Sequence, residues 1–404
     1  MARAFWVWLH RWVGLVMTGF LIVVGLTGSL LVFWLELSHW LTPDLYPASR
    51  PGIELGAATL ARRAEALVPQ ARTNTVYLGY PGSIQIGMEA RPGSPALGFN
   101  YLHLDPVTGS ELGRVNWEGL PRSLNDVIPL IFRLHYELAI GEVGKWTLGI
   151  VALMWSIDCF VAFYLTLPSS RTWISEKFFA RWRQSWSVKW NSSFYRVNFD
   201  FHRAGGLWLW LALLVFAWSS VNFNLNGFYT YATRMFLDFE QDVWATPEPS
   251  LQHPENKPLE WEVAQAKGES LMAEQAHNQG FTVGRPLALY IIRNRGLYEY
   301  RVRSSRDIGD KFGWTSIFFD AYSGELRFVS LPTGQHAGNT LTTWLAELHR
   351  ANLFGLPYRI FVCLLGLAIT MLSVTGVYIW WKKRKARRYR ERVRSGAEAG
   401  VPAE

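Results

Sequence analysis

Four long apolar segments stand out from an otherwise mixed sequence of 404 residues. Residues 13–35, 204–223 and 360–381 contain no charged side chain, and residues 146–167 contain one, Asp158. An α-helix needs about 20 apolar residues to cross a bilayer. The pattern therefore predicts four membrane-spanning helices. The alternative, four buried helices of a soluble protein, is disfavoured by these lengths.

Basic residues are concentrated at two places in the chain. The segment between the second and third apolar segments contains seven Lys and Arg residues and two acidic residues. Residues 382–394 contain nine basic residues and one acidic residue. Residues 36–133 hold eight basic and nine acidic residues, and residues 226–348 hold eleven and fifteen. Positive residues stay in the cytoplasm because their translocation is disfavoured. Both termini are therefore predicted to be cytoplasmic. The net charge of +8 reflects this topology, and nucleic-acid binding is disfavoured.

The two regions predicted to lie outside have the patterns of small α+β domains. Residues 56–68 and 259–277 place apolar side chains on one helical face, and residues 83–86 and 298–302 alternate as half-exposed strands do. The predicted parts are a first helix (1–40), an external domain (41–132), a second helix (133–168), a cytoplasmic basic linker (169–200), a third helix (201–230), a second external domain (231–340), a fourth helix (341–382) and a cytoplasmic basic tail (383–404).

Several short motifs occur twice in the same order. They are H-R-x-x-G at residues 10–14 and 202–206, L-H followed by Gly six residues after the His at residues 134–141 and 348–355, and D-x-x-[ST]-G at residues 105–109 and 320–324. The last motif predicts a turn, because its Asp can accept backbone N–H groups and its Gly tolerates positive φ. The predicted architecture is an internally duplicated helix–domain–helix unit, in which a four-helix membrane bundle carries two α+β domains.

Four of the nine His stand at the start of predicted spans, one for each span. The charge distribution places His10 and His202 at the cytoplasmic edge, and His135 and His349 at the external edge. Imidazole is the usual axial ligand of haem iron, and a bis-His site takes one His from each of two helices. Two haems b are therefore predicted, the inner on His10 and His202 and the outer on His135 and His349. Anchoring of helix ends at the membrane interface is the alternative role of these His.

Neighbouring residues support the predicted haem sites. Gly14 and Gly206 follow their His by four residues, on the same helical face, and leave room for a flat macrocycle. Arg11 and Arg203 are predicted to bind propionates of the inner haem, and Arg350 those of the outer haem.

Other polar and aromatic residues inside the spans leave alternatives open. Asp158 is a functional candidate because a charge in a membrane helix is costly, as a proton carrier or as the partner of a nearby polar group. Trp155, Trp210 and Trp218 lie deep in their spans, where packing is favoured over contact with a cofactor.

The chain resembles the PepSY-associated transmembrane family of bacterial inner-membrane proteins, which are often described as iron-regulated. The resemblance rests on residues 8–14 (WLHRWVG), 25–28 (GLTG) and 375–382 (TGVYIWWK), together with the two D-x-x-[ST]-G turns. It implies two periplasmic PepSY-like domains and a di-haem reductase that releases iron from ferric siderophores. The axial-ligand roles carry over to His10, His202, His135 and His349, and no substrate contact carries over.

The predicted function is electron transfer across the inner membrane to a ferric siderophore. The electron donor is predicted to be quinol or a cytoplasmic reductase, because the chain has no flavin or nicotinamide motif. Straight spans separate the two His layers by roughly 30 Å, which leaves room for an additional carrier. Two alternatives belong to other classes: a non-redox scaffold or regulator of a periplasmic peptidase, and a transporter of iron or haem.

Overall fold

A computed structural model describes residues 2–48, 51–79, 83–168, 177–240 and 257–398. The start of the predicted linker (169–176) and the end of the predicted tail (399–404) lie outside the described residues. The chain divides into two compact units. The helical unit comprises Met1–Val32, Leu134–Tyr229 and Ile360–Glu404, and the sheet unit comprises Phe33–Arg133 and Thr230–Arg359.

The described residues form twelve α-helices, which are 5 to 44 residues long. In chain order they are α1 (Ala2–Leu31), α2 (Trp34–Leu41), α3 (Ala57–Leu67), α4 (Val127–Glu137), α5 (Glu142–Thr166), α6 (Phe178–Trp182), α7 (Phe194–Trp208), α8 (Trp210–Asn224), α9 (Asn226–Arg234), α10 (Trp261–Gln279), α11 (Ala337–His349) and α12 (Gly355–Glu398). Helices α1, α5 and α12 are each long and apolar enough to cross a membrane.

The predicted third span is broken. Helices α7 and α8 meet at an angle of 68°, and they make a fourth crossing if the bent pair is one span. The break falls at Leu209, whose φ of −98° and ψ of 2° leave the helical region. Gly205 and Gly206 lie in the turn before it, where the lack of side chains makes bending easy. Three to four membrane helices are thus present among the described residues.

The second and fourth predicted helices each consist of two helices. The break between α4 and α5 follows His135 and ends at Gly141. The break between α11 and α12 follows His349 and ends at Gly355. Gly141 has a φ of +66° and Gly355 a φ of +61°, a left-handed conformation that glycine adopts without strain. The repeated L-H motif with its Gly therefore marks a short helix, a left-handed turn and the start of a span. Helix α12 also continues to Glu398, so that most of the predicted tail is helical.

Small residues bring α1 and α12 together. A Cβ atom added at Gly25 would lie 2.6 Å from Thr370 Oγ1, and one added at Gly366 would collide with Ser29. Ser29 Oγ donates a hydrogen bond to the carbonyl oxygen of Cys363 at 2.8 Å. Close approach of backbones at glycines, with a hydroxyl bond across the contact, is a common way to pack helices in membranes.

The sheet unit contains one antiparallel sheet formed by both predicted external regions. Its strands are β1 (Ala71–Tyr77), β2 (Ile84–Ala90), β3 (Tyr101–Leu104), β4 (Glu111–Val115), β5 (Val283–Ile292), β6 (Leu297–Ser304), β7 (Thr315–Asp320) and β8 (Leu326–Ser330), in the spatial order β4-β3-β2-β1-β5-β6-β7-β8. The sequence predicted two separate external domains. In the structure, β1 of the first region pairs with β5 of the second, which joins the two regions into one sheet. This pairing satisfies two strand edges that would otherwise expose backbone N–H and C=O groups.

Helices α3 and α10, which coincide with the two helical patterns in the sequence, cover the apolar core of this unit. Leu60 of α3 and Met272 of α10 pack into one core cluster with Ile86, Leu289 and Ile317 of the sheet. The alternating strands direct these side chains to the covered face.

The two D-x-x-[ST]-G motifs form the predicted turns. Asp105 Oδ1 accepts the backbone N–H groups of Val107 and Thr108, each at 2.9 Å. Asp320 Oδ1 accepts the corresponding pair of N–H groups of its own turn, also at 2.9 Å. The structural role predicted for these two Asp residues is confirmed.

Candidate functional site

His10 on α1 and His202 on α7 face each other in the helical unit. Their ring centroids are 6.4 Å apart and the ring planes are inclined by 55°. Both rings line a cavity of about 400 Å³ that is otherwise mainly apolar. This volume lies within the range of about 300–1,000 Å³ typical of ligand pockets. The structure thus brings together the two His that the sequence predicted as the inner pair.

The ring of His10 is oriented by Asp158 on α5. His10 Nδ1 lies 2.9 and 3.0 Å from the two carboxylate oxygens. The carboxylate accepts only, so the proton is assigned to Nδ1 and the lone pair of the ring is at Nε2. Two roles were considered for Asp158 from the sequence, a proton carrier and a partner of a nearby polar group. In the structure, Asp158 is the partner of a polar group, the ring of His10.

Thr375 on α12 orients the ring of His202 in a comparable way. Thr375 Oγ1 lies 3.0 Å from His202 Nδ1 and donates to the carbonyl oxygens of Met371 and Leu372, at 2.9 and 3.0 Å. Because that hydroxyl proton is engaged, Oγ1 accepts from Nδ1–H and Nε2 again carries the lone pair. Gly376 makes room for the ring, since a Cβ there would be 3.3 Å from His202 Cε1.

Two imidazoles that face each other in this way could hold one metal ion between them. The hydrogen bonds given above for both rings are made at Nδ1, and His202 has a further hydrogen bond with the backbone of Leu372. Two metal–nitrogen bonds of about 2 Å each would set opposed imidazole centroids about 6 Å apart, close to the observed value. Ring N–H groups engaged by protein partners are the usual second shell of metal-bound His. Within the described ranges, no group of three His, Cys, Asp or Glu residues could hold a metal ion.

The cavity has open space beside the two predicted glycines. Gly14 and Gly206 both line it, and a Cβ added to either would meet no atom within 4 Å. A flat macrocycle between the His rings needs such space on both helices. The spacing of His and Gly in the sequence therefore corresponds to a real opening in the helical unit.

Four cationic side chains line the same cavity: Arg3, Arg11, Arg203 and Lys383. Arg203 donates to Asp200 at 2.9 Å, while its Nε is buried without a hydrogen-bond partner among the described residues. A buried unpaired donor of this kind suits an anionic group such as a propionate. Sequence reasoning had identified Arg11 and Arg203, counted Lys383 only as part of the basic tail and missed Arg3.

The Trp residues considered from sequence occupy different positions. Trp155 and Trp210 line the cavity, and Trp210 Nε1 donates to the carbonyl oxygen of Cys159 at 2.9 Å. Trp218 instead packs against Tyr229, with ring centroids 5.5 Å apart.

His135 is held by the same kind of contact as His202. Thr27 Oγ1 lies 3.1 Å from His135 Nδ1 and donates to the carbonyl oxygen of Val23 at 2.7 Å. A Cβ added at Gly28 would lie 2.8 Å from His135 Cε1. Sequence reasoning used both Thr-Gly pairs as marks of resemblance and missed this role. The signal was present, since each pair lies inside an apolar span, where a hydroxyl needs a partner.

His349 and Arg350 belong to the sheet unit, at the end of α11. The guanidinium of Arg350 lies 4.6 Å from the ring centroid of Trp314, and its Nη1 donates to Glu347 at 3.3 Å. The predicted outer pair of His135 and His349 joins residues of the two units and stays a prediction.

The helical unit with its three to four spans, together with the sheet unit, defines an integral membrane protein. The chain belongs to the family of the PepSY-associated TM region, whose model matches residues 7–383. The match covers most of the chain and includes all four predicted ligand His. A comparison with curated proteins finds no match.

Proposed function

We propose that the protein is a haem-b oxidoreductase of the bacterial inner membrane. It passes electrons from quinol or a cytoplasmic reductase to the periplasm, where a ferric siderophore is reduced and its iron released. The observation that carries this proposal is the His10–His202 pair. Two imidazoles from different helices face each other across a cavity, and a hydrogen bond at Nδ1 orients each ring.

Each residue of the cavity has a defined task in this proposal. His10 and His202 hold the inner haem, Gly14 and Gly206 leave space for its ring, and Arg203 offers its unpaired Nε to a propionate. When bound, haem supplies reversible one-electron transfer. The apolar walls exclude water and keep the His rings fixed.

A second haem on His135 and His349 completes the proposed path. His135 has the same Thr and Gly partners as His202, which supports a ligand role for it. The basic linker and the basic end of α12 support cytoplasmic termini by the positive-inside rule. Electrons then leave on the periplasmic side, where one electron converts the Fe(III) chelate to Fe(II). Hard oxygen ligands hold Fe(II) less tightly, so the iron is released.

Absorption spectroscopy of the full-length protein tests the cofactor. The chain is expressed with added haem precursor, purified in detergent and reduced with dithionite. We expect a Soret band and sharp α and β bands, with about two haems per chain. A colourless protein would overturn the proposal. His202→Ala should remove about half of the haem, whereas His277→Ala, at an exposed position of α10, should remove none.

A vesicle assay tests the reaction. The protein is reconstituted with a quinol, and a ferric hydroxamate siderophore is supplied together with a ferrous-iron chelator that reports colour. Colour formation that requires both quinol and His202 is expected. Haem-loaded protein that oxidises quinol without forming ferrous iron would exclude ferric siderophores as the acceptor.

A further inference from the structure

The two rings of the inner pair have chemically different partners. His10 Nδ1 donates to the carboxylate of Asp158, whereas His202 Nδ1 donates to the hydroxyl of Thr375. His135 also bonds to a hydroxyl, that of Thr27. The carboxylate is thus an anionic partner of His10, unlike the hydroxyls described for His202 and His135.

The position of Asp158 requires an explanation because it is costly. Its side chain is 9% exposed, within a helix long and apolar enough to span a membrane. The backbone N–H groups of α5 are engaged in the helix, so they cannot satisfy a carboxylate in mid-helix. His10 is the partner that does so, through both carboxylate oxygens. The hydrogen bond to the His10 ring offsets the free-energy cost of burying the carboxylate.

We propose that Asp158 is a positioning residue that makes His10 a stronger electron donor to iron and lowers the reduction potential of the inner haem. The inference rests on the proposed function. A carboxylate that accepts the ring N–H raises the basicity of the opposite nitrogen. A more basic ligand stabilises Fe(III) over Fe(II), and second-shell hydrogen bonds are one of the ways in which a protein sets haem potential. A hydroxyl acceptor has a weaker effect.

The effect is expected at the inner haem, because Asp158 contacts the ring of His10. Asp158 thus contributes to the potential of that haem rather than to the chemistry of the siderophore.

A redox titration of the full-length protein tests this inference. The reduced α band is followed against potential for the wild type and for Asp158→Asn, which keeps the size of the side chain and removes its charge. A tenfold loss in the preference for Fe(III) raises the potential by about 59 mV for one electron. We expect a shift of that size in one of two midpoint potentials, with the other unchanged.

Two further variants control for folding. Ser156→Ala changes another buried polar residue of α5, which bonds only within its own helix, and should leave both potentials unchanged. Asp158→Glu keeps the charge and should restore the lower potential, or the inner haem if Asp158→Asn loses it. Unchanged potentials in Asp158→Asn would overturn the inference, as would haem loss that Asp158→Glu does not restore. A wild type without haem would instead overturn the proposed function.

Discussion

Buried carboxylates serve different purposes in the two units. In the sheet unit, Asp105 and Asp320 are satisfied by backbone N–H groups two and three residues further along the chain. In the helical unit, Asp158 bonds to His10, which is 148 positions away. A turn leaves backbone N–H groups open for a carboxylate, whereas the interior of a helix leaves none. Asp105 and Asp320 therefore shape their own turns, whereas Asp158 orients a side chain of another helix.

The His rings of the two units also differ. His103 of the sheet unit is 1% exposed and bonds to Ser83 of its own unit at 2.8 Å. His10 and His202 line a cavity, and the side chain of His10 is 31% exposed. The ring of His103 thus lies in the interior of its unit, whereas the other two rings border a cavity.

Double substitutions give the largest expected effect. His202→Ala combined with His135→Ala should remove all haem, because it takes one ligand from each proposed site. His10→Ala combined with His202→Ala should remove only the inner half. The measurement is haem per chain from the reduced spectrum. Equal losses in the two double variants would break the proposed pairing.

Filling the cavity should remove the inner haem and leave the fold intact. Gly206→Leu places a side chain where no atom lies within 4 Å of an added Cβ, so the expected loss is about half of the total haem. Gly205→Ala is the matched control, because its Cβ would be in ordinary contact with Leu372 at 3.7 Å. Haem content and resistance to proteolysis are measured together. Full haem content in Gly206→Leu would place the cofactor elsewhere.

Acid should destabilise the sheet unit through His103. Burial lowers the pKa of His103 to about 4, from 6.5. Between these values the unfolded chain binds the additional proton, so stability is present above pH 6.5 and falls as pH drops to 4. The loss approaches about 3 kcal/mol. Urea unfolding of the full chain at several pH values measures it. His103→Asn should flatten the dependence, and an unchanged slope would contradict this prediction.

Removing a turn carboxylate should have a smaller effect, confined to stability. Asp105→Ala deletes two hydrogen bonds and should cost about 2 kcal/mol, while haem content stays at the wild-type value. Urea unfolding and the reduced spectrum are compared with those of Glu274→Ala, an exposed position of α10. Loss of haem in Asp105→Ala would weaken the contrast between the two units.

Several elements could be predicted because their causes are local. The apolar spans, the helices α3 and α10 and the two Asp turns depend on side chains within a few residues of each other. The break at Leu209 and the left-handed turns after His135 and His349 were missed, although Gly205, Gly206, Gly141 and Gly355 mark them. An apolar run predicts the length of a span and says little about its straightness.

The candidate ligand His were identified by position, but their ring partners were not. Asp158 was noted because a charge within a span is rare, and the chain gives no sign that its partner is His10. Thr27 and Thr375 resemble the many other hydroxyls in apolar helices. Lys383 lies in a basic tail whose charge is explained by topology, and Arg3 belongs to none of the motifs, so nothing in the sequence distinguished them as residues of the cavity.

The sequence by itself determined the apolar spans, the distribution of charge, the turns and the His that deserve testing, since each follows from composition and short-range spacing. Tertiary structure alone decided that β1 and β5 join two predicted domains into one sheet. Tertiary structure also decided which group forms a hydrogen bond with each His ring. The contacts of His135, His10 and His202 connect residues 108, 148 and 173 positions apart. Contacts over such separations exist only after the helices have packed, because packing selects which side chains meet.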